Sequence, residues 1–398
     1  MSWQESCAMD ERMKFIGEWL SGLSTVVELA ERYGVSRKTA YKWIGRYQAA
    51  GPSGLADRSS APLVHGRATD AALVEAILQQ KEARPTWGAR KIIAKLSDRD
   101  PDLAWPVAST AGEILKRAGL VEPRRRRHRA PPTLGGLTVA ERPNHVWAVD
   151  HKGWITLGDG DRCEPLTITD SLARYLISVS SGGSTSVEEA RPLFERAFAE
   201  FGLPETIRSD NGTPYASSGV TGLTGLSVWW AKLGIRHERI TPGRPQQNGR
   251  HERFHLTLKE AMHPVSADRA VQSARFEAFR TYYNEERPHE ALGQTPPSRH
   301  YAPSPRQLPD RLPEPDYPRE ADLRNVRQSG EIRWAGGLIY VSTALVGETV
   351  AIEESEEGEL RMRFYDKPLG VIEAEKKRLR RVGVPARGHA HPSNLSPM

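Results

Sequence analysis

The sequence predicts a multidomain chain: N-terminal all-α helix-turn-helix modules, a central α/β core and a C-terminal small β-barrel. Three observations predict it. A length of 398 residues exceeds what one ordinary core organises, so two to four domains are expected. Apolar residues follow a helical period up to about residue 122 and a strand-like alternation from about 143. Stretches rich in Gly, Pro, Ser or Arg separate these blocks, at 51–62, 123–142 and 303–324.

The first block is "STVVELAERYGVSRKTAYKWIGRY". Leu29, Ala30 and Tyr33 give one helix an inner face, and Gly34 supplies the positive φ that a sharp turn needs. Val35 fills the corner, Ser36 is a natural N-cap, and Ala40, Trp43 and Ile44 face inward on the second helix. Arg37, Lys38, Tyr41 and Lys42 are left pointing outward near its start, which suits docking in a DNA major groove. A helical hairpin with a solvated charged face is the plain alternative. The turn, the cap and the basic outer face coincide, which favours DNA.

A second helical unit follows over 68–122, with "WGARKIIAKL" and "VASTAGEILKRAGLV" repeating the two-helix logic. Ser109 is its expected cap and Gly119 its terminator. Arg124, Arg125, Arg126 and Arg127 then form an unbroken run, a polyanion contact or a solvated linker. This clustering matters more than the modest net charge of +6.

From about 143, "HVWAVDHKGWITL", "PLTITD" and "RYLISVS" read as three strands. A helix over "SVEEARPLFERAFAEFG", a strand at "ETIRSDNG", a helix at "LSVWWAKLG", a strand at "IRHERIT" and a helix at "QNGRHERFHLTLKEAM" complete a mixed sheet covered by helices. Another helix spans about 266–285. Four more strand-like runs between 332 and 375 read as a small barrel, and the tail is basic without apolar periodicity. The expected domains are thus 1–52 and 68–122 (helix-turn-helix), 143–302 (core) and 325–378 (small β-barrel). The linkers are 53–67, 123–142 (basic) and 303–324 (Pro-rich), and 379–398 is the basic tail.

Two distant cysteines, Cys7 and Cys163, offer neither a disulfide framework nor zinc spacing. No apolar run nears the ~18 residues of a membrane span, and no signal peptide is evident. A cytoplasmic protein is expected.

Three acids stand out by position. Asp150 lies in a hydrophobic strand, where a charge costs free energy unless paired or metal-bound. Asp210 ends a strand just before Asn211-Gly212, and Glu252 opens a helix after a third strand. Each alone has an ordinary reading: a cap or pair, a turn residue, a solvated helix residue. Asp170 is a rival to Asp150, but it sits beside Ser171 at an expected hairpin turn. Strand ends and helix starts are where α/β folds place chemistry. Three converging carboxylates would hold two Mg²⁺ ions about 3.5–4 Å apart, clamping the attacking and leaving oxygens of a phosphodiester. The basic residues around Glu252, among them Arg244, Arg250, Arg253 and Lys259, would attract the DNA backbone to those metals.

The runs "VWAVDHKGW", "IRSDNGTPY" and "PGRPQQNGRHERFHLTLKEAM", followed by "YYNEERPHEALGQTPP", resemble the integrase catalytic core of retroviral integrases and bacterial insertion-sequence transposases. The resemblance covers about 140–302. It implies a ribonuclease-H-like fold with an Asp-Asp-Glu (DDE) triad of Asp150, Asp210 and Glu252. It also implies a donor-end contact for Lys259, and it matches Asn248 and Gly249 to the flexible approach to the glutamate helix. One departure is visible: 41 residues separate Asp210 from Glu252, more than in many relatives, with "ASSGVTGLTG" the expected surface loop.

The implied activity is that of a DNA transposase. It would bind terminal inverted repeats, expose 3′-OH ends and join them to target DNA with Mg²⁺, or Mn²⁺ in its place. A homodimer or higher homo-oligomer on DNA and a nucleoid-associated location accompany that expectation. DNA contacts are expected from Arg37, Lys38, Tyr41, Lys42, Arg124, Arg125, Arg126, Arg127, Asn248, Arg253 and Lys259. A DNA-binding regulator with an inactive core is the alternative, and a stand-alone nuclease a third.

Overall fold

The computed structural model describes residues 7–58, 68–122, 136–241, 247 and 249–381. The chain divides into two compact units, Met1–Asp70 and Ala71–Met398.

The first unit holds α1 (Ala8–Leu20), α2 (Val26–Arg32) and α3 (Arg37–Ala50). Thr25 and Ser36 cap α2 and α3, each accepting a backbone N–H three residues on. Gly34 takes φ +63° between the two helices. Phe15, Ile16, Leu29, Ala30, Ala40, Trp43 and Ile44 form the core, with Tyr33 and Val35 packed against it. Arg37, Lys38, Tyr41 and Lys42 are all exposed, as expected. The Lys42 ammonium lies over the Trp43 ring, 4.3 Å from its centroid.

The second unit opens with α4 (Ala71–Ala83), α5 (Ala89–Arg99) and α6 (Ala108–Arg117). Ser109 does not cap α6: Val107 stands at the N-cap and Ser109 lies inside the first turn, because the helix starts earlier than the serine suggested. Gly119 does end the helix, at φ +73°.

The sheet strands are β1 (Val146–His151), a separate hairpin of β2 (Ile155–Thr156) and β3 (Arg162–Cys163), β4 (Leu166–Asp170) and β5 (Leu176–Val179). Then follow α7 (Val187–Phe201), β6 (Thr206–Ser209), α8 (Gly225–Lys232), β7 (Arg236–Arg239), α9 (Gly249–Met262) and α10 (Arg269–Glu285). The expected first strand therefore breaks after His151, and "WITL" belongs to the hairpin instead.

The sheet order is β5-β4-β1-β6-β7. β1, β4 and β5 pair antiparallel, whereas β1, β6 and β7 run parallel. This is the ribonuclease-H-like α/β arrangement. Side chains alternate across a strand, so Trp147 and Val149 join Phe194, Phe198, Trp229 and Trp230 of α7 and α8 on one face. On the other face Phe254 and Leu258 of α9 meet Phe276, Phe279 and Tyr283 of α10.

The α4–α6 module packs against this core. Trp87 stacks on Tyr282 of α10 and donates its Nε1–H to the phenol oxygen at 2.8 Å. Arg84–Glu286, Arg90–Glu290 and Arg299–Asp98 ion pairs flank that contact. The 303–324 stretch is strapped to the core as well: Arg306 donates to the carbonyls of Pro204, Leu233 and Gly234.

The last region contains β8 (Asp322–Asn325), β9 (Glu331–Trp334), β10 (Gly337–Tyr340), β11 (Thr349–Glu354), β12 (Leu360–Phe364), β13 (Lys367–Glu373) and β14 (Arg378–Arg380). The expected barrel is a five-stranded antiparallel sheet, β14-β13-β12-β11-β8, beside a β9–β10 hairpin. Among the described residues no ladder joins the two edges β8 and β14. Its core includes Leu223 and Val228 of the α/β region, which fastens the two parts together.

Candidate active site

Asp150 lies near the C-terminal end of β1, on the face that carries Ala148 rather than Trp147. Its neighbour across the antiparallel ladder is Thr167, and Thr169 stands opposite Ala148. These small polar side chains leave room for α9, which lays His251 and His255 onto them.

Thr167 donates its single hydroxyl proton to the Asp150 carbonyl at 3.0 Å. The same hydroxyl lies 2.6 Å from His251 Nε2 and 3.0 Å from His255 Nε2. His251 Nδ1 faces the Thr169 hydroxyl at 3.2 Å. His255 Nδ1 faces Asp150 Oδ2 at 3.9 Å. Neutral rings suit the setting, since burial pushes the His251 pKa down to about 3.

Asp210 follows β6. The parallel register pairs Ala148 with Arg208, so two residues further on Asp210 stands beside Asp150. Its Oδ1 accepts the Gly212 N–H at 3.1 Å, and Asn211 ties the turn to the Ile240 carbonyl at 2.7 Å. Beneath the two acids, buried Tyr215 meets His151 Nδ1 at 3.2 Å. Burial, then Asp150 and Asp210, hold the Tyr215 phenol well above its ordinary pKa.

Glu252 lies on the first turn of α9 and is exposed, as are Arg253 and Lys259. The Asp150 carboxyl is pushed up to about 7, chiefly by burial, then by the Asp210 charge, with Glu252 adding to it against a backbone N–H from His151. The three acids thus share one electrostatic neighbourhood. Asp170 is spent otherwise: it is buried and accepts the N–H groups of Asn144, Leu172 and Ala173 at 2.7–2.9 Å. Arg124, Arg125, Arg126, Arg127 and Asn248 lie outside the described residues.

Ligand atoms of Asp150, His251 and His255 come within 4.8 Å of one another. The His251 nitrogens both face threonine hydroxyls, so this trio is a poor metal cage. Sequence reasoning passed over His251 and His255 as neighbours of Glu252. Their signal was the stripe they share with Phe254, Leu258 and Met262, the buried face of α9.

Residues 140–245 and 233–297 each match a family model described as an integrase core domain. Residues 11–62 match a helix-turn-helix domain and 39–115 a homeodomain-like domain. These stretches thus match integrase-core and helix-turn-helix domains, in keeping with the ribonuclease-H-like sheet and the N-terminal helices. The chain's relatives include insertion-element proteins and retroviral polyproteins. It is 27% identical over 179 residues to an insertion element IS476 protein of Xanthomonas euvesicatoria, covering 44% of this chain and 50% of that protein. It is 30% identical over 189 residues to an insertion element IS407 protein of Burkholderia multivorans, covering 46% and 65%. The match thus spans half to under two thirds of the length of these relatives. Among solved structures, the HTLV-2 integrase catalytic core domain in complex with magnesium aligns at a TM-score of 0.30 and 17% identity, over 40% of this chain and 98% of that one. No described helix is long and apolar enough to cross a membrane.

Proposed function

We propose that the chain is a DNA transposase that binds the terminal inverted repeats of an insertion element, cuts strands there to leave 3′-OH ends and joins those ends to target DNA. The observation that carries this reading is the shared neighbourhood of Asp150, Asp210 and Glu252 at one edge of an integrase-core sheet. Divalent cations, Mg²⁺ or Mn²⁺, held by these three acids would supply Lewis-acid activation of the scissile phosphate and of the attacking oxygen.

The residues divide the remaining work. Asp150 and Asp210, anchored on adjacent parallel strands, are the rigid part of the donor set. Glu252 joins from an exposed helix start, where it remains reachable by DNA. Lys259, two turns along α9, is placed to hold a backbone phosphate of the donor end, with Arg253 beside it. The helix α3 presents Arg37, Lys38, Tyr41 and Lys42 to base edges and phosphates. In each step an oxygen nucleophile, first water and then the 3′-OH, forms a P–O bond as another P–O bond breaks, and its proton passes to solvent. Pairing two ends calls for at least a homodimer on DNA.

The test is incubation of purified protein with duplexes carrying the element ends, in Mg²⁺ or EDTA. Strand cutting and joining in Mg²⁺ alone is expected. Asp150→Asn and Glu252→Gln should each abolish joining while DNA binding persists; joining by either variant would count against the triad. A protein that binds ends but never cuts is the regulator, and one that cuts without joining is a nuclease.

A further inference from the structure

We propose that the Trp154 indole is a stacking platform for one unpaired nucleobase of the element end, close to the scissile phosphate. The inference deepens the transposase reading and rests on it for the identity of the DNA.

Backbone geometry places the ring at the catalytic edge. Asp150 lies near the end of β1, and the chain keeps its pairing a little further, with the Lys152 N–H donating to the Pro165 carbonyl at 2.9 Å. Gly153 then takes φ +85° and turns the chain into the β2–β3 hairpin, with Trp154 at its head. The short stretch from Asp150 to Trp154 spans at most ~14 Å even when fully extended. Side chains alternate along the hairpin, so Ile155 and Leu157 turn inward with Cys163 and pack with Leu258, Ala261 and Met262 of α9. The hairpin therefore sits on the α9 side of the sheet, the side where His255 of α9 faces the Asp150 carboxyl. Trp154 and Thr156 hold the alternate positions and are exposed.

The hairpin is fastened in place. Gly158 and Asp159 donate their N–H groups to the Ser266 and Ala267 carbonyls at 2.9 and 2.8 Å, and Arg269 donates to the Arg162 carbonyl at 3.0 Å. A Cβ built on Gly158 would lie 3.0 Å from the Ala267 carbonyl oxygen, so a side chain there would crowd this contact.

The ring itself points to a flat ligand. Trp154 is 58% exposed, and it alone is exposed among the described tryptophans. The Arg162 guanidinium lies over the ring, 5.2 Å from its centroid, and is held there by Glu164 at 2.5 Å. One face thus carries a cation and the rest of the indole is open. A nucleobase offers a planar π-surface of matching size, and stacking tolerates any base. A protein partner fits poorly: the exposed neighbours Thr156, Gly158, Asp159, Gly160 and Asp161 are polar or small, so no apolar patch of interface size surrounds the ring. A base reaches the ring only when it leaves the duplex stack, and unpaired or mismatched bases do so most readily.

The test uses the full-length protein and end-containing duplexes in which single nucleotides on either side of the cut are made abasic in turn. Trp154→Ala should lower the joining rate on intact ends about tenfold to a hundredfold, and Trp154→Phe about threefold at most. At one position the abasic end should slow the wild type by a similar factor and slow Trp154→Ala no further, a non-additivity that a merely structural tryptophan would not give. Because the ring is exposed, the thermal midpoint of Trp154→Ala should stay within about 2 °C of wild type. Additive losses at every position, with wild-type joining intact, overturn the proposal and leave the transposase reading standing. Acrylamide quenching of tryptophan emission supplies a readout without chemistry: DNA should shield a share of the emission that Trp154→Phe removes. Such shielding in a protein that never cuts supports the platform while the transposase reading fails. Shielding that grows with protein concentration and needs no DNA assigns the ring to a contact between copies and overturns the proposal.

Discussion

Asp150 and Asp170 show how much a single residue's surroundings decide. Both are acids of the β1–β4 pair, and strand context alone favours Asp150 as the reactive one. The structure gives a physical reason: three backbone N–H groups take up the Asp170 carboxylate, whereas the charges of Asp210 and Glu252 act on the buried Asp150 carboxyl, with His255 Nδ1 3.9 Å away. Lys91 on α5 is a residue that sequence reading passed over. Burial, then Arg287 and Arg253, push its pKa down from 10.5 to about 8. An amine whose folded pKa falls below its unfolded value weakens the fold while charged, and the penalty fades as pH rises from about 8 to 10.5. Lys91→Met should therefore raise the thermal midpoint by a few degrees at pH 7 and give no such gain near pH 11. Melting curves at the two pH values check this, and an equal effect at both would refute it.

The best-read elements were those whose signals are local. Ser36, Gly34 and the inner face of α3 followed from caps, turn geometry and helical period, all properties of a few neighbouring residues. Lys42→Ala is expected to weaken binding to element ends at fixed salt, because the Trp43 ring steadies the ammonium on the exposed side of α3. Equal gel-shift affinity would remove Lys42 from the interface. Local signals failed where a longer-range contact chose between options. The strand at 145–157 divides because β2 pairs with β3 in a hairpin of its own rather than extending the β1 ladder. The five-stranded C-terminal sheet reads like a barrel in sequence, since alternation says nothing about whether edge strands meet.

At the scale of the molecule, the α4–α6 module and the core meet through Trp87 and Tyr282, residues 195 positions apart. Trp87→Ala should cost about 3–5 kcal/mol and expose 71–118 to protease, whereas Tyr282→Phe, which removes the hydroxyl that accepts from Trp87 and Arg287, should cost about 1–2 kcal/mol. Equally mild effects of both would mean that the module is not held by this contact.

By itself the sequence determined the helix-turn-helix chemistry, the order of core elements and which acids to examine, because period, capping and turn preferences act over a few residues. Only the tertiary structure decided that β1 and β6 lie side by side and that His251 and His255 share one threonine hydroxyl. Those facts depend on strand register and packing between distant segments, which local preferences do not encode.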